Sequence, residues 1–194
     1  MMGREHIQIV EEPIPPAFAD YARVPIAFMV EKVLDIREAQ GSAPVLSERR
    51  IAVPYVKDYD RVEHPTTWPS RFDVSRWGLL AAVTEGHRVG GAVIAFDTPG
   101  LRMLDGRTDL AVLWDIRVLP GARRKGIGSA LFREVERWAR SRNCGEVRVE
   151  TQNTNVTACR FYERQGCVLE GVNRRAYLEM PEEIQLLWHK HLAE

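Results

Sequence analysis

A basic, glycine-punctuated turn, Arg123-x-x-Gly126-x-Gly128, is the stretch of this sequence best suited to hold an anion. Its glycines let a ligand approach the backbone closely, and a helical pattern begins directly after it. The N–H groups at a helix start carry partial positive charge, so they favour a pyrophosphate. Arg124 and Lys125 add cationic side chains. The same pattern also fits a tight strand-to-helix connection whose charges are merely solvated.

Two other phosphate-binding motifs are excluded at this turn. The GxxxxGK[ST] order of a P-loop is absent, and the second half of the GxGxxG dinucleotide fingerprint is missing. Any phosphate site here must therefore belong to another class.

The strand that must position the turn is predicted from Leu110 to Leu119. Its first residues are apolar on both faces, which is typical of a central strand in a sheet. Farther along, Asp115 and Arg117 share one face and Ile116 and Val118 share the other, because side chains alternate. The second half of this strand therefore has one polar face.

The elements after the turn complete a strand–helix–strand pattern. Apolar residues recur at helical spacing from Ile127 to Ala139, and Gly145 is a natural stop. Residues 146–151 then alternate as a strand, so a right-handed crossover with two adjacent parallel strands is predicted. Asn155 is placed to cap a short helix that Gly166 closes.

The remaining chain gives weaker patterns. His6 to Val10 predicts a short strand, and IAFMVEKVLDIRE after Pro25 favours a strand over a helix. Residues 40–75 are predicted to be irregular, because four prolines interrupt their apolar runs. WGLLAAVTE and RVGGAVIAF flank Gly86-His87, a short connection, and predict an antiparallel hairpin. CVLEGV and EIQLLW predict two further strands.

Composition limits the classes of function. The chain has 27 basic and 27 acidic residues, so no net field favours nucleic acid or an anionic membrane. Cys144, Cys159 and Cys167 lack the spacing of a zinc site or a disulfide framework, and no apolar run approaches a membrane span. At 194 residues, we expect one domain in a soluble, cytoplasmic protein without a metal.

Taken in order, these pieces resemble the GNAT superfamily of acetyl-CoA-dependent N-acetyltransferases. The resemblance lies in an LWDIRVLP-type strand, the R-x-x-G-x-G turn, an amphipathic helix, a strand, and N-x-x-A-x-x-F-Y-x-x-x-G-C. DIRVLPGARRKGIG, VETQNTNVTACRFYERQGC and the late AY…EEIQLLW are most similar to the streptothricin acetyltransferase branch. Members of that branch acetylate an amino group of a lysine-like appendage on an antibiotic.

The resemblance implies an α/β (α+β) fold. Its sheet is expected to be mixed and mostly antiparallel, with a central parallel strand pair splayed at its C-terminal end and helices on both faces. We expect residues 1–194 to form a single domain, with 1–76 as a variable acceptor-side part and 77–194 as the acetyl-CoA-binding core.

The family pattern also implies roles for individual residues. The backbone of Ile116, Arg117 and Val118 would bind the pantetheine arm and the thioester, with the Val118 N–H stabilising the oxyanion. Asn155 matches an asparagine that contacts pantetheine, and Tyr162 matches the tyrosine that protonates the departing thiolate. The pyrophosphate would bind at the turn, formed by Arg123, Arg124, Lys125, Gly126, Ile127, Gly128 and Ser129. Asn155 could equally be a plain helix cap, and Tyr162 a helix-face aromatic.

An acceptor amine must be neutral to attack the thioester, yet an alkylammonium has a pKa of about 10. Asp115 and Glu150 lie near the C-terminal ends of the two predicted parallel strands, where α/β sites form, so either could be the base or a substrate anchor. Their alternative is a structural pairing with Arg117 or Arg148. Glu182 and Glu183 would also suit a cationic acceptor.

The expected function is transfer of an acetyl group from acetyl-CoA, the cosubstrate, to a primary amine of a small molecule. The amine attacks directly in a ternary complex, and a streptothricin-type or aminoglycoside-like antibiotic is the expected acceptor, which implies antibiotic resistance. The alternatives are acetylation of a peptide or protein, and a non-catalytic acyl-CoA sensor. A covalent acetyl-cysteine is disfavoured, because buried cysteine mostly packs as a small hydrophobe. A homodimer is left open.

Overall fold

The computed structural model describes residues 6–37 and 43–192. The described chain divides into two compact units: residues 6–26, 58–147 and 192 form the first, and residues 27–37, 43–57 and 148–191 form the second. No helix within the described ranges is both long and apolar enough to cross a membrane.

The chain contains nine strands and four α-helices in the described residues. The strands are β1 (Gln8–Glu11), β2 (Phe28–Arg37), β3 (Val45–Lys57), β4 (Gly78–Thr84), β5 (His87–Phe96), β6 (Leu110–Val118), β7 (Glu146–Gln152), β8 (Val168–Asn173) and β9 (Gln185–His191). The helices are α1 (Phe18–Tyr21), α2 (Trp68–Arg71), α3 (Ile127–Arg140) and α4 (Val156–Arg164).

The first unit contains an antiparallel run of strands in the order β1-β4-β5-β6. The predicted hairpin is confirmed as β4 and β5. Its turn residues are Glu85 and Gly86, with φ of 51° and 79°, so His87 already belongs to β5. Positive φ at both central positions matches the right-handed twist of a two-residue hairpin.

Helix α3 packs against β1, β4, β5 and β6 of the first unit. Its buried face contains Leu131, Phe132, Val135 and Trp138, which confirms the predicted helical spacing. Trp138 approaches the sheet so closely that a Cβ on Gly78 would lie 2.4 Å from its indole ring. The helix ends at Arg140, five residues before the predicted stop at Gly145.

An apolar cluster that includes Phe18, Tyr21, Trp68 and Trp77 forms a core of the first unit. Phe72 packs against this cluster, stacked on Trp77 at 5.7 Å between ring centroids. Trp68 and Phe72, two aromatics of the proline-rich stretch, therefore pack in a core of this unit.

The prediction that residues 40–75 are irregular is wrong over β3. That strand pairs with β2 in a separate two-stranded sheet, whose predicted strand β2 is confirmed. The register jumps from Val30↔Tyr55 to Lys32↔Arg50, which leaves residues 51–54 outside the ladder. Pro54 therefore does not interrupt a hydrogen-bonded pair, because its missing N–H falls in the irregular step. Residues 38–42 of these patterns lie outside the described residues.

In the second unit, the strand order is β7-β9-β8, with β8 and β9 antiparallel. The carbonyl oxygen of the Asn155 side chain accepts the Ala158 N–H at 3.1 Å, so the predicted cap of α4 is confirmed. Gly166 has φ of 78° after the helix, as its predicted stop requires. Strand β9 continues to His191, beyond the predicted EIQLLW.

Candidate active site

The turn before α3 has the backbone geometry of an anion cradle. Arg124 and Gly126 have φ of 65° and 85°, and Gly126 is the N-cap residue of α3. No side chain of the described residues caps this helix start, and Arg124 and Lys125 are exposed beside it. The first N–H groups of α3 lack carbonyl partners within the helix, so the residues present fit a pyrophosphate.

The end of β6 turns alternate backbone groups away from β5. The Leu119 N–H donates to the Val89 carbonyl at 2.8 Å, and Gly90 and Gly91 pair with Val118 and Arg117. In an antiparallel ladder the backbone N–H and C=O of every second residue point toward the partner strand. Because those of Leu119 point toward β5, those of Arg117 do as well, and those of Val118 point away. The Val118 carbonyl instead accepts Nε of Arg123 at 3.0 Å, which ties the turn to the strand end.

A bulge at Trp114 interrupts this strand before its polar half. Val93 pairs with Asp115 and Ile94 with Leu113, which leaves Trp114 as the extra residue. Trp114 packs against the apolar cluster of the first unit, 5.5 Å from Trp77 between ring centroids. Asp115, the next residue, pairs with Val93, which belongs to the same cluster. Because of the bulge, the consecutive side chains of Trp114 and Asp115 therefore lie on the same face of the sheet.

Asp115 and Arg117 share that face, but it is a buried ion-pair network. Arg117 donates Nε and a terminal nitrogen to Asp115, at 3.1 and 2.5 Å to the same oxygen. Its terminal nitrogens also reach both oxygens of Asp60, at 3.0 and 2.9 Å, and the Val24 carbonyl at 3.2 Å. The Tyr21 ring covers the guanidinium at 4.9 Å. The side chain of Arg117 is 1% exposed and that of Asp115 is 6%.

Burial dominates the protonation behaviour of this network. Burial raises the pKa of the Asp115 carboxyl, and Arg117 offsets part of the rise. Burial, the largest single influence, would lower the pKa of Arg117, but the charges of Asp115 and Tyr21 and the hydrogen bonds to Asp115 and Asp60 together outweigh it, so this pKa is raised. Burial and the Asp115 carboxylate raise the pKa of Tyr21 well above its usual value. The pairing of Asp115 with Arg117 is the structural alternative that the sequence left open.

Glu150, on β7, is held by neutral donors. Its Oε1 accepts the Tyr177 hydroxyl at 2.5 Å, and its Oε2 accepts Nε2 of Gln185 at 2.7 Å. Gln152 donates to the Tyr177 oxygen at 2.8 Å. Glu150 and Gln152 lie on one face of β7 because side chains alternate, while Thr151 contacts Trp188 and Cys159 of the second unit. The two side chains that hydrogen-bond to the Glu150 carboxylate therefore carry no charge.

Glu183, another carboxylate expected to suit a cation, is already paired. Lys57 donates to its carboxylate and to Sδ of Met180, and the Glu183 side chain is only 3% exposed. Burial, followed by the charges of Glu183 and Glu182, raises the pKa of nearby Tyr55. Glu182 is exposed. Among the four predicted carboxylates, Glu150 therefore combines partial burial with uncharged donors.

Helix α4 carries the two residues expected to contact the cofactor. Asn155 is half-buried and uses Oδ1 for the cap. Tyr162 is buried in the second unit, with its ring 5.2 Å from that of Phe161. Their proposed roles toward pantetheine and thiolate stay predictions.

Two of the three cysteines are poor nucleophiles. Burial raises the pKa of Cys159 to about 12 and that of Cys144 to about 11. Both thiols are therefore protonated near neutral pH, and a thiolate is the reactive form. This environment disfavours an acetyl-cysteine at Cys144 or Cys159.

Sequence reasoning missed Asp60, Tyr21, Tyr177 and Gln185. Asp60 lies in a short 3-10 helix, and Tyr177 belongs to the AY of the family resemblance, but each meets its guanidinium or carboxylate partner only in the folded chain. Gln185 had a usable signal, because alternation in EIQLLW separates it from its apolar neighbour Leu186.

The model of the acetyltransferase (GNAT) family matches residues 46–167. The chain belongs to this family. It is an acyltransferase with acetyl-CoA as cosubstrate, and the predicted α/β class, with a mixed sheet that includes a parallel strand pair, is confirmed.

Similar proteins define the branch. Streptothricin acetyltransferase A of Bacillus subtilis (strain 168) is 26% identical over 74% of this chain and 77% of its own length. Streptothricin acetyltransferase of Escherichia coli is 34% identical over 42% of this chain and 48% of its own length. These similarities confirm the predicted streptothricin acetyltransferase-like branch.

Two solved structures share the fold. Nourseothricin acetyltransferase superposes with a TM-score of 0.72 and 22% identity, covering 96% of this chain and 99% of that one. A protein assigned as a streptothricin acetyltransferase from Bacillus anthracis str. Ames, solved in complex with acetyl coenzyme A, has a TM-score of 0.77 with the same identity and coverage.

Proposed function

We propose that this acetyltransferase modifies a primary amine of a small cationic molecule, of the streptothricin or aminoglycoside type, in a ternary complex with acetyl-CoA. The names of its relatives support this acceptor class, including aminoglycoside N(6')-acetyltransferase type 1 of Klebsiella aerogenes, which is 35% identical over 40% of this chain and 49% of its own length. The observation that carries the proposal is Glu150, a half-buried carboxylate whose donors are neutral. A positively charged amine would supply the missing counter-charge.

Acetyl-CoA would be held by backbone and cationic groups already described. The turn from Arg123 to Ser129 and the start of α3 would take the pyrophosphate. The strand end at Ile116 and Val118 would take the pantetheine and the thioester, with Asn155 as a further contact. The Val118 N–H, which faces away from β5, would stabilise the oxyanion.

The chemical step forms one bond and breaks another. The amine nitrogen attacks the thioester carbonyl carbon, and the carbon–sulfur bond breaks as the tetrahedral intermediate collapses. The first proton leaves the ammonium before the attack and passes to Glu150, directly or through water, because an alkylammonium with a pKa of about 10 cannot attack. The leaving thiolate takes its proton from the Tyr162 hydroxyl, and the second proton, which the nitrogen loses after the attack, returns to the Tyr162 oxygen through water. Asp115 remains the partner of Arg117 in this scheme.

Release of free thiol from acetyl-CoA in the presence of a panel of amines tests this function. Streptothricin, kanamycin, polyamines and short peptides with free N-termini form a suitable panel. We expect turnover with the cationic small molecules and little with the peptides. Turnover of the peptides alone would show that the acceptor is a peptide and not a small cationic molecule. Absence of thiol release with every amine would refute the proposal.

Tyr162→Phe separates the chemical step from cofactor binding. Loss of the proton donor is expected to lower kcat roughly 100-fold or more, while the affinity for acetyl-CoA changes little. Unchanged kcat would remove Tyr162 from the mechanism.

A further inference from the structure

Glu150 is oriented by a series of hydrogen bonds that begins two residues farther along β7, at Gln152. Nε2 of Gln152 donates to the Tyr177 oxygen at 2.8 Å, and the Tyr177 hydroxyl donates to Glu150 at 2.5 Å. A phenol has a single proton, and an amide nitrogen can only donate. The Gln152 contact therefore directs the Tyr177 proton toward the carboxylate.

The segment that carries Tyr177 is tied down at both ends. A terminal nitrogen of Arg174 donates to the Ile36 carbonyl at 2.9 Å. At the other end, Asn153 and Ile184 exchange hydrogen bonds: Asn153 N–H to the Ile184 carbonyl at 3.0 Å, and Ile184 N–H to Oδ1 of Asn153 at 2.8 Å. Lys57 pairs with Glu183 just before that point. An irregular segment is thereby fixed well enough to place one phenol accurately.

Both oxygens of Glu150 have a donor, and the two donors come from different segments. Tyr177 holds Oε1 from the tied segment, and Gln185 holds Oε2 from β9. A carboxylate has room for about four hydrogen bonds, so both oxygens can still accept from a bound ammonium. Because neither donor is charged, the pair fixes the carboxylate without neutralising it, unlike the guanidinium at Asp115.

We propose that Tyr177 is a positioning residue for the acceptor amine: it holds Glu150 in the orientation that receives the substrate ammonium. This inference rests on the proposed function, and it assigns to the 174–184 segment a part in amine recognition. The ligand class is a primary ammonium on a small molecule, since the group it meets is one carboxylate supported by neutral hydrogen bonds.

Tyr177→Phe removes the hydroxyl and retains the ring. With an amine that the wild-type protein acetylates, we expect the KM for the amine to rise about tenfold, while kcat and the KM for acetyl-CoA change little. Titration of the same amine into protein saturated with CoA, which cannot transfer an acetyl group, should show the same loss of affinity. Arg174→Gln is the comparison variant: it removes one tie of the segment and keeps the Tyr177 hydroxyl, so it should raise the same KM less than Tyr177→Phe does.

A double-mutant cycle tests the hydrogen-bond series from Gln152 through Tyr177 to Glu150. Gln152→Leu removes the donor that orients Tyr177, so its effect on the KM for the amine should largely disappear in the Tyr177→Phe background. Unchanged amine KM in Tyr177→Phe, with wild-type turnover intact, would overturn the positioning role alone. An equal rise of the amine KM in Arg174→Gln would show that Tyr177 acts only as a structural tie. Additive effects of Gln152→Leu and Tyr177→Phe would refute the coupling between these two residues. Absence of wild-type turnover would refute the proposed function as well.

Discussion

The carboxylates of Asp115 and Glu150 lie in different surroundings, although the sequence predicted equivalent positions for them near the ends of two parallel strands. Asp115 lies in the first unit, nearly inaccessible, with its charge matched by Arg117. Glu150 lies in the second unit, half-buried, with a phenol and an amide as donors. A carboxylate already paired with a guanidinium has little to gain from a substrate cation, whereas one held by neutral donors has much to gain. The partners, more than the carboxylate, determine the role.

The largest effect is expected from Glu150→Gln. The amide retains the shape and can keep a hydrogen bond with Tyr177, but it can neither hold an ammonium by charge nor take its proton. We expect kcat/KM for the amine to fall roughly 100- to 10,000-fold, the range for loss of a general base. Steady-state kinetics measure this, with acetyl-CoA binding as the internal control. A change below about twofold would assign the amine to another group.

Asp115→Asn should act on stability instead. Arg117 would lose one of two carboxylates at a buried site, because an amide offers a single oxygen and turns a donor toward the guanidinium. The expected loss in the free energy of unfolding is about 3 kcal/mol, measured by urea denaturation.

Asp20→Asn provides the comparison for that experiment. Its pair with Arg23 is exposed, so the change should be close to zero. If Asp115→Asn proved as stable as this control yet lost turnover as Glu150→Gln does, the contrast between the two carboxylates would fail.

Glu48→Gln should give the smallest effect and adds a third environment. Hydrogen bonds from Lys32 and Arg160 lower the pKa of this exposed carboxyl below its usual 4.5. Its contribution to stability is therefore present above pH 4.5 and is lost as the pH falls through the lowered pKa. Thermal unfolding at neutral and acidic pH should show a slight difference from wild type that vanishes in acid. A difference that grew in acid would reverse the assigned sign.

Local patterns predicted the elements that bear the site better than the site itself. The hairpin, α3 and the Asn155 cap follow from turn chemistry, helical spacing and capping, all of which act over a few residues. Strand β3 was missed because Pro54 argues against a strand unless its register step is known. The bulge at Trp114 was also missed, because a bulge is defined by the register of the partner strand, which the sequence does not show.

The sequence alone determined the glycine turn, the polarity of each strand face and the family, because these depend on residue type and short spacing. Tertiary structure decided which carboxylate is matched by a cation. Arg117 meets Asp60 across 57 positions of sequence, and Glu150 meets Tyr177 across 27. Alternation says which way a side chain points from its strand, but charge compensation depends on what the fold brings to that face.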